Sequence, residues 1–315
     1  MRPPRKKIVC AGEAMVELRR EGAAWHVHYG GDTLNVALHL VRLGHNVAYL
    51  TALGLDPFAN GMSAAWSKEG LDLNLVQTHP TRSTGLYAIE TDVRGERHFS
   101  YWRSDSAARA MFECDGIDDA EEDARQADLL FFSLISLAIL PESGRERMLR
   151  LAERVRANGG QVAFDSNYRP RLWESREVAR IWHDRAVAQA DFGFPTLDDE
   201  RMIGVDDRPD EVARYWEGLG CREVVVKLGA EGCRLPDGQV VLPAVNLDPV
   251  DTSGAGDAFD AGYLGTRLRG ASMEDAAHAG NGLAGWTLMH PGAIPAQSES
   301  APYKAIASFE PELGG

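Results

Sequence analysis

The chain has 315 residues, 44% of them hydrophobic, and a formal net charge of −14. That length holds one large domain or two unequal ones around a sizeable core. The acidic balance excludes a broad nucleic-acid or anionic-membrane surface, although a local arginine cluster can still take an anionic substrate. Cys10, Cys114, Cys221 and Cys233 are scattered and form no CxxC, so neither a disulfide framework nor a zinc site is expected. Ile8-Val9-Cys10-Ala11 is too short for a signal-peptide core, and no apolar run approaches the roughly 18 residues of a membrane span. A soluble cytoplasmic protein is expected.

Lys7 to Ala11 reads as a short buried strand ending at Gly12. Ala14–Arg19 and Ala24–Tyr29 read as strands around Arg20-Glu21-Gly22. Apolar residues at 34, 37, 38, 40, 41 and 43 predict a helix from Thr33 to Leu43, closed by Gly44. Asn46–Leu53 is a predicted strand, and Asn60–Glu69 a helix stopped by Gly70. Gly85–Thr91 and Glu96–Trp102 flank the turn Asp92-Val93-Arg94-Gly95 and predict a hairpin.

From Asp128 the pattern alternates. Strands are expected at Asp128–Ser133, Gln161–Asp165, Asp191–Phe194 and Val224–Leu228, and a hairpin over Gly232–Leu242. Helices are expected at Pro141–Asn158, Ser175–Ala188, Gly254–Arg269 and Met273–Met289. Ser298–Gly315 is weakly patterned. Strands alternating with helices indicate an α/β fold, a mostly parallel sheet covered on both faces. The early hairpins fall outside that alternation and suggest a small β-subdomain.

Asp251-Thr252-Ser253-Gly254-Ala255-Gly256-Asp257 leads into the apolar run Ala258–Leu264. A glycine-rich turn at a helix start presents unpaired N–H groups and the positive end of the helix dipole, which together make an anion site. A carboxylate beside a bound phosphate would repel it, so Asp257 makes better sense as a base that takes a proton from an attacking hydroxyl. The plainer alternative is an acid that merely caps the helix.

Near the start stands a second glycine motif, Gly30-Gly31-Asp32-Thr33-Leu34-Asn35-Val36-Ala37. With the Asp251–Asp257 stretch late in the chain, it resembles the two signatures of the ribokinase-like (PfkB) carbohydrate kinases. Val224 to Gly232 is similar to that family's nucleotide-binding strand and turn, and Asn281 with Gly292-Ala293 to its adenine-side elements. The resemblance spans nearly the whole chain. It implies a Rossmann-like α/β domain (1–13, 30–84 and 104–315) with a β-sheet lid (14–29 and 85–103) over the sugar. Gly12–Leu18, Tyr101-Trp102-Arg103, Ser106-Ala107-Ala108 and Asp165–Trp173 further resemble the 2-keto-3-deoxygluconate kinases within the family.

That resemblance implies transfer of the ATP γ-phosphoryl group to a sugar-acid hydroxyl. Asp257 would be the general base, and the backbone of Gly254, Ala255 and Gly256 the anion hole. Gly31, Asp32, Asn35, Tyr87, Tyr101, Arg103 and Arg169 would meet the sugar acid. A guanidinium grips a carboxylate in two-pronged fashion, and strand alternation puts Tyr101 and Arg103 on one face. Asp32 as a plain helix cap, the tyrosines as lid core and the arginines as surface ion pairs are the alternatives.

Asn167, Lys227, Gly229, Ala230, Glu231, Gly232, Gly254, Gly256 and Asn281 would lie along the nucleotide, with Lys227 as a sheet-end charge the other reading. Magnesium is needed with the triphosphate. Pro195-Thr196-Leu197-Asp198-Asp199-Glu200 departs from the family's Pro-Asn-x-x-Glu, which leaves Asp199 or Glu200 to organise it indirectly. Neither nucleic acid nor membrane is an expected partner, and the resemblance suggests a homo-oligomer through the lid sheet.

Rival readings fit less well. Gly254-x-Gly256-x-x-Phe259 lacks the third glycine of a dinucleotide fingerprint, and no P-loop occurs. His26-x-His28 finds no third zinc ligand. A non-catalytic sensor would be expected to lose Asp257 or its glycines. A neutral-sugar kinase such as a fructokinase would not need Arg103.

Overall fold

Lys7–Ala11 (β1) lies inside a parallel sheet and is buried on both faces, as its unbroken apolar run requires. The computed structural model describes residues 6–91, 97–244 and 247–308, and every structural statement below concerns those residues. The turn predicted at Asp92–Gly95 lies outside them.

The further strands are β2 (Met15–Glu21), β3 (Ala24–Gly30), β4 (Asn46–Leu53), β5 (Val76–Thr78), β6 (Gly85–Thr91), β7 (Arg97–Trp102) and β8 (Leu129–Ser133), followed by β9 (Gln161–Asp165), β10 (Phe192–Phe194), β11 (Glu223–Val224), β12 (Val226–Lys227), β13 (Cys233–Arg234) and β14 (Val240–Val241). The helices are α1 (Asp32–Arg42), α2 (Pro57–Glu69), α3 (Ile117–Ala124), α4 (Leu134–Ala138), α5 (Glu142–Ala157) and α6 (Arg176–Val187), then α7 (Leu197–Ile203), α8 (Pro209–Leu219), α9 (Ala255–Arg267), α10 (Met273–Leu288) and α11 (Tyr303–Ala307).

Seven strands form the main sheet in the order β11-β10-β9-β8-β1-β4-β5, and each neighbouring pair is parallel. Side chains alternate between its faces. Ile8 and Cys10 of β1 join a core with α1, α2, α9, α10 and α11, whereas Val9 and Ala11 join one with α3, α4, α5, α6 and α8. The expected mostly parallel sheet with helices on both faces is therefore present. Among the described residues no helix is long and apolar enough to cross a membrane.

A second, four-stranded sheet has the order β3-β2-β6-β7. Its two hairpins, β2–β3 and β6–β7, are joined by a parallel β2–β6 pair with Met15 opposite Gly85. Local patterning cannot announce that long-range pairing.

Beyond β5, α3 and α4, where the sequence pattern predicts no element, two further regions differ from expectation. The single strand predicted at Val224–Leu228 is split between sheets: β11 pairs with β10, and β12 pairs with β13. Val225 and Lys227 still donate to the carbonyls of Gly193 and Pro195. Pro195, however, has no N–H to return to Val225, so the ladder lapses there. The weakly patterned tail contains the short helix α11, which docks Tyr303 and Ile306 into the core.

Candidate active site

The glycine turn before α9 is organised by Asp251. One oxygen of this buried carboxylate accepts the N–H of Ser253 at 2.9 Å, and the other accepts the N–H of Gly292 at 2.7 Å. Gly254 caps the helix with φ of +72°, and a Cβ there would strike Ala293. Only glycine suits both demands. The helix starts at Ala255, so its first N–H groups have no acceptor within it.

Asp257 stands in that first turn and is 8% exposed. The side-chain amide of Asn35 donates to its Oδ2 at 2.7 Å. Burial, followed by the charge of Asp32, raises its pKa to about 7, while the Asn35 hydrogen bond opposes that shift. A carboxyl poised near neutrality suits a proton acceptor.

Helix α1 supplies both neighbours. Asp32 and Asn35 are three residues apart and so share a face. Gly31, at φ of +152°, lets the chain pass against the Glu13 carbonyl, where a Cβ would collide. Gly31 is the N-cap position, and no side chain caps this helix end, so Asp32 is free of that structural duty. Its carboxylate accepts from the Ser133 hydroxyl and, at 3.1 Å, from the Asn167 amide. Burial raises its pKa too, against the hydrogen bonds of Ser133 and of the Thr33 backbone.

Beneath this pair lies Lys227, 2.9 Å from Asp165 and 3.1 Å from Asp260. Burial disfavours its charge, but the two carboxylates outweigh that and hold its pKa above the usual lysine range. Lys227 is thus a buried counter-charge within the protein, and a Cβ on Gly256 would sit 3.6 Å from its Nζ.

The second sheet closes over a cavity of about 930 Å³ lined by Glu13, Gly31, Asp32, Asn35, Tyr87, Tyr101, Arg103, Arg169 and Gly254, among others. Tyr87 and Tyr101 are register partners with ring centroids 5.9 Å apart. Tyr87 donates its hydroxyl to Glu17. Arg103 is ion-paired with the fully buried Glu13, which also accepts from the Ser106 hydroxyl. Arg169 donates to the Tyr168 carbonyl at 2.8 Å and lies 3.4 Å from Asp199.

The seven residues expected to meet the sugar acid, Gly31, Asp32, Asn35, Tyr87, Tyr101, Arg103 and Arg169, therefore line one cavity. Gly229, Ala230 and Glu231 stand apart from it in an exposed 3-10 turn. Gly232 packs against the Val241 carbonyl, which accepts from Asn281 at 3.0 Å, so these two residues form a neighbouring cluster. Of the two acids considered for magnesium, Glu200 is turned into the core, 3.2 Å from His183, and does not face the site. Asp199 remains, with its pKa raised to about 6 by burial against the pull of Arg169.

Sequence reasoning missed Glu13, Asp165, Ser133, Arg109 and Asp260. Glu13 and Asp165 stood inside motifs already singled out. Ser133 and Asp260 carried no local signal.

The fold and this site define a class. The profile of the pfkB family carbohydrate kinases matches residues 5–300, and the chain belongs to that family. Among its relatives, a 2-dehydro-3-deoxygluconokinase of Dickeya dadantii is 44% identical, the match spanning 92% of this chain and 96% of the relative. The same-named enzyme of Escherichia coli K12 is 42% identical over 92% and 97%. The structure of aminoimidazole riboside kinase from Salmonella enterica, complexed with aminoimidazole riboside and an ATP analog, superposes with a TM-score of 0.80 at 25% identity. It covers 96% of this chain and 100% of its own.

Proposed function

We propose that the protein transfers the γ-phosphoryl group of ATP to the 6-hydroxyl of 2-keto-3-deoxygluconate (2-dehydro-3-deoxygluconate). The observation that carries this reading is Asp257, buried in the first turn of α9 and held by Asn35 beside a cavity rich in arginine. Asp257 would take the hydroxyl proton as the oxygen attacks. The open N–H groups of Gly254, Ala255 and Gly256 would receive the charge that builds on the transferring group. Asp32, oriented by Ser133 and Asn167, would accept from sugar hydroxyls, and Tyr87 and Tyr101 would pack along the sugar. The 42–44% identity to enzymes named for that reaction supports the substrate.

Among the described residues no group of three or more His, Cys, Asp or Glu side chains converges as a metal cage. A single acid, Asp199, 3.4 Å from Arg169, would hold a hydrated magnesium ion on the phosphates through water. Bound there, the ion would neutralise phosphate charge. The nucleotide would run from the α9 turn toward Gly229–Gly232 and Asn281.

ADP release with Mg-ATP over 2-keto-3-deoxygluconate, its galacto epimer, gluconate, fructose, ribose and adenosine tests the reading. Strong preference for a 2-keto-3-deoxy acid is expected. Preference for fructose or ribose would overturn the substrate and leave Asp257 its role.

A further inference from the structure

The cavity's charges do not balance. Four arginines line it: Arg103, Arg109, Arg169 and Arg171. Arg103 is locked to Glu13, and Arg169 leans on Asp199 and the Tyr168 carbonyl. Arg171 is exposed at the rim. Arg109 is half-buried, and among the described residues its side chain has neither an ion pair nor a hydrogen bond.

Its charged surroundings sharpen the point. They are the carboxylates of Glu13, already engaged by Arg103 and Ser106, and of Glu174, already paired with Arg145, and the cations Arg103, Arg82 and Arg145. Arg82 and Arg145 have their own partners in Asp105 and Glu174. Burial, then these cations, depress the pKa of Arg109 against the pull of Glu13. A partly buried guanidinium with no ion pair or hydrogen bond of its own is costly unless a ligand supplies the anion. Its direction is also preset. It projects from the 3-10 turn Ala107–Glu113, whose Ala107, Ala108, Ala110, Met111 and Phe112 are buried.

We propose that Arg109 receives the carboxylate of the sugar acid, with Arg103 beside it as a guanidinium held in place by Glu13. The proposal rests on the sugar-acid reading above and changes which arginine carries it. Arg103 is tied by its ion pair to Glu13, although its Nε and Nη2 make no hydrogen bond, and Arg169 spends Nη1 on the Tyr168 carbonyl and Asp199. Arg109 keeps its whole fork for the ligand and can meet both carboxylate oxygens in parallel.

The test compares the wild type with Arg109→Gln and Arg109→Lys. KM and kcat are measured for 2-keto-3-deoxygluconate, together with inhibition by gluconate and by glucitol, its uncharged counterpart. Arg109→Gln is expected to raise KM for the keto acid and Ki for gluconate by about 10- to 100-fold, the size of a lost charged hydrogen-bond pair. The effect on kcat and on glucitol should be a few-fold at most. Arg109→Lys, which keeps the charge and loses the fork, should fall between; it also serves if the glutamine variant fails to fold.

Equal weakening of gluconate and glucitol, or an unchanged KM, would overturn the proposal. If the wild type ignores 2-keto-3-deoxygluconate, inhibition is read on whichever sugar it does phosphorylate. Loss of gluconate inhibition in Arg109→Gln would then uphold Arg109 while the substrate reading falls. Gluconate acting alike on both proteins would remove the assignment whatever the substrate.

Discussion

At the scale of single residues, the site is a contest over protons. Asp165 and Asp260 contact one ammonium, Lys227, Asp257 lies within reach of its charge, and Asp32 adds its own charge beside Asp257. Burial and mutual repulsion therefore keep Asp257 protonated further up the pH scale than an ordinary aspartate. A base must be ionised to act, so kcat/KM should fall as pH drops through about 7 in a pH–rate profile. Asn35→Ala removes the hydrogen bond that favours the charged form, so the same limb should move to higher pH. Asp257→Asn should cut turnover by about 10²- to 10⁴-fold, with ATP still bound in a calorimetric titration. Unchanged turnover in that variant would remove Asp257 from the chemistry.

At the scale of elements, α1 acts as the alignment piece of the site. Its start presents Asp32 and Asn35, and one turn further on His39 reaches Ala293, the residue against which Gly254 packs. His39 also bonds the Tyr303 hydroxyl, tying α11 to the same spine. Burial, then Arg42, lowers its pKa to about 3, so it stays neutral.

Helices α6 and α7 are joined differently. His183 of α6 lies between Asp184 and Glu200. Burial opposes its charge, but Glu200 and Asp184 prevail and raise its pKa to about 9. A histidine whose folded pKa exceeds its unfolded value of about 6.5 stabilises fully below that value and loses the contribution as pH rises through the folded pKa. Stability by urea unfolding should therefore decline between about pH 6.5 and 9. Glu200→Gln should cost about 3 kcal/mol near pH 6 and converge on the wild type near pH 10. A difference independent of pH would show that the histidine is not charged in the fold.

At the scale of the whole molecule, the second sheet does two things. Its inner face carries Tyr87 and Tyr101 into the cavity, and Arg19 of β2 lies 3.6 Å from Asp251, the residue that organises the glycine turn. The second sheet and the glycine turn are thus in direct electrostatic contact. Its outer side leaves Trp25 and Trp102 46% and 61% exposed. Large exposed aromatics on a sheet face mark an association surface. We expect a homo-oligomer through this sheet, measured as a mass above 34.4 kDa by sedimentation, and Trp25→Glu with Trp102→Glu should return the monomer. A wild-type monomer at micromolar concentration would end that expectation.

The sequence by itself determined whatever depends on neighbours along the chain. Strand–helix alternation marked the parallel sheet, and left-handed glycines marked the turns at Gly31 and Gly254. The acid after the second turn marked Asp257. These features are local because helix starts and tight turns are made by consecutive residues. Only the tertiary structure decided what depends on distant ones: the parallel pairing of β2 with β6, the diversion of β12 at Pro195, and the hand of Asn35 on Asp257, 222 residues away. It also decided which charges are already spent. Arg103, Arg169 and Lys227 each carry the charge the sequence promised, but the fold sets Glu13, Asp199 and Asp165 against them and leaves Arg109 open. Which carboxylate neutralises which cation is a matter of approach in space, and residue spacing holds no record of it.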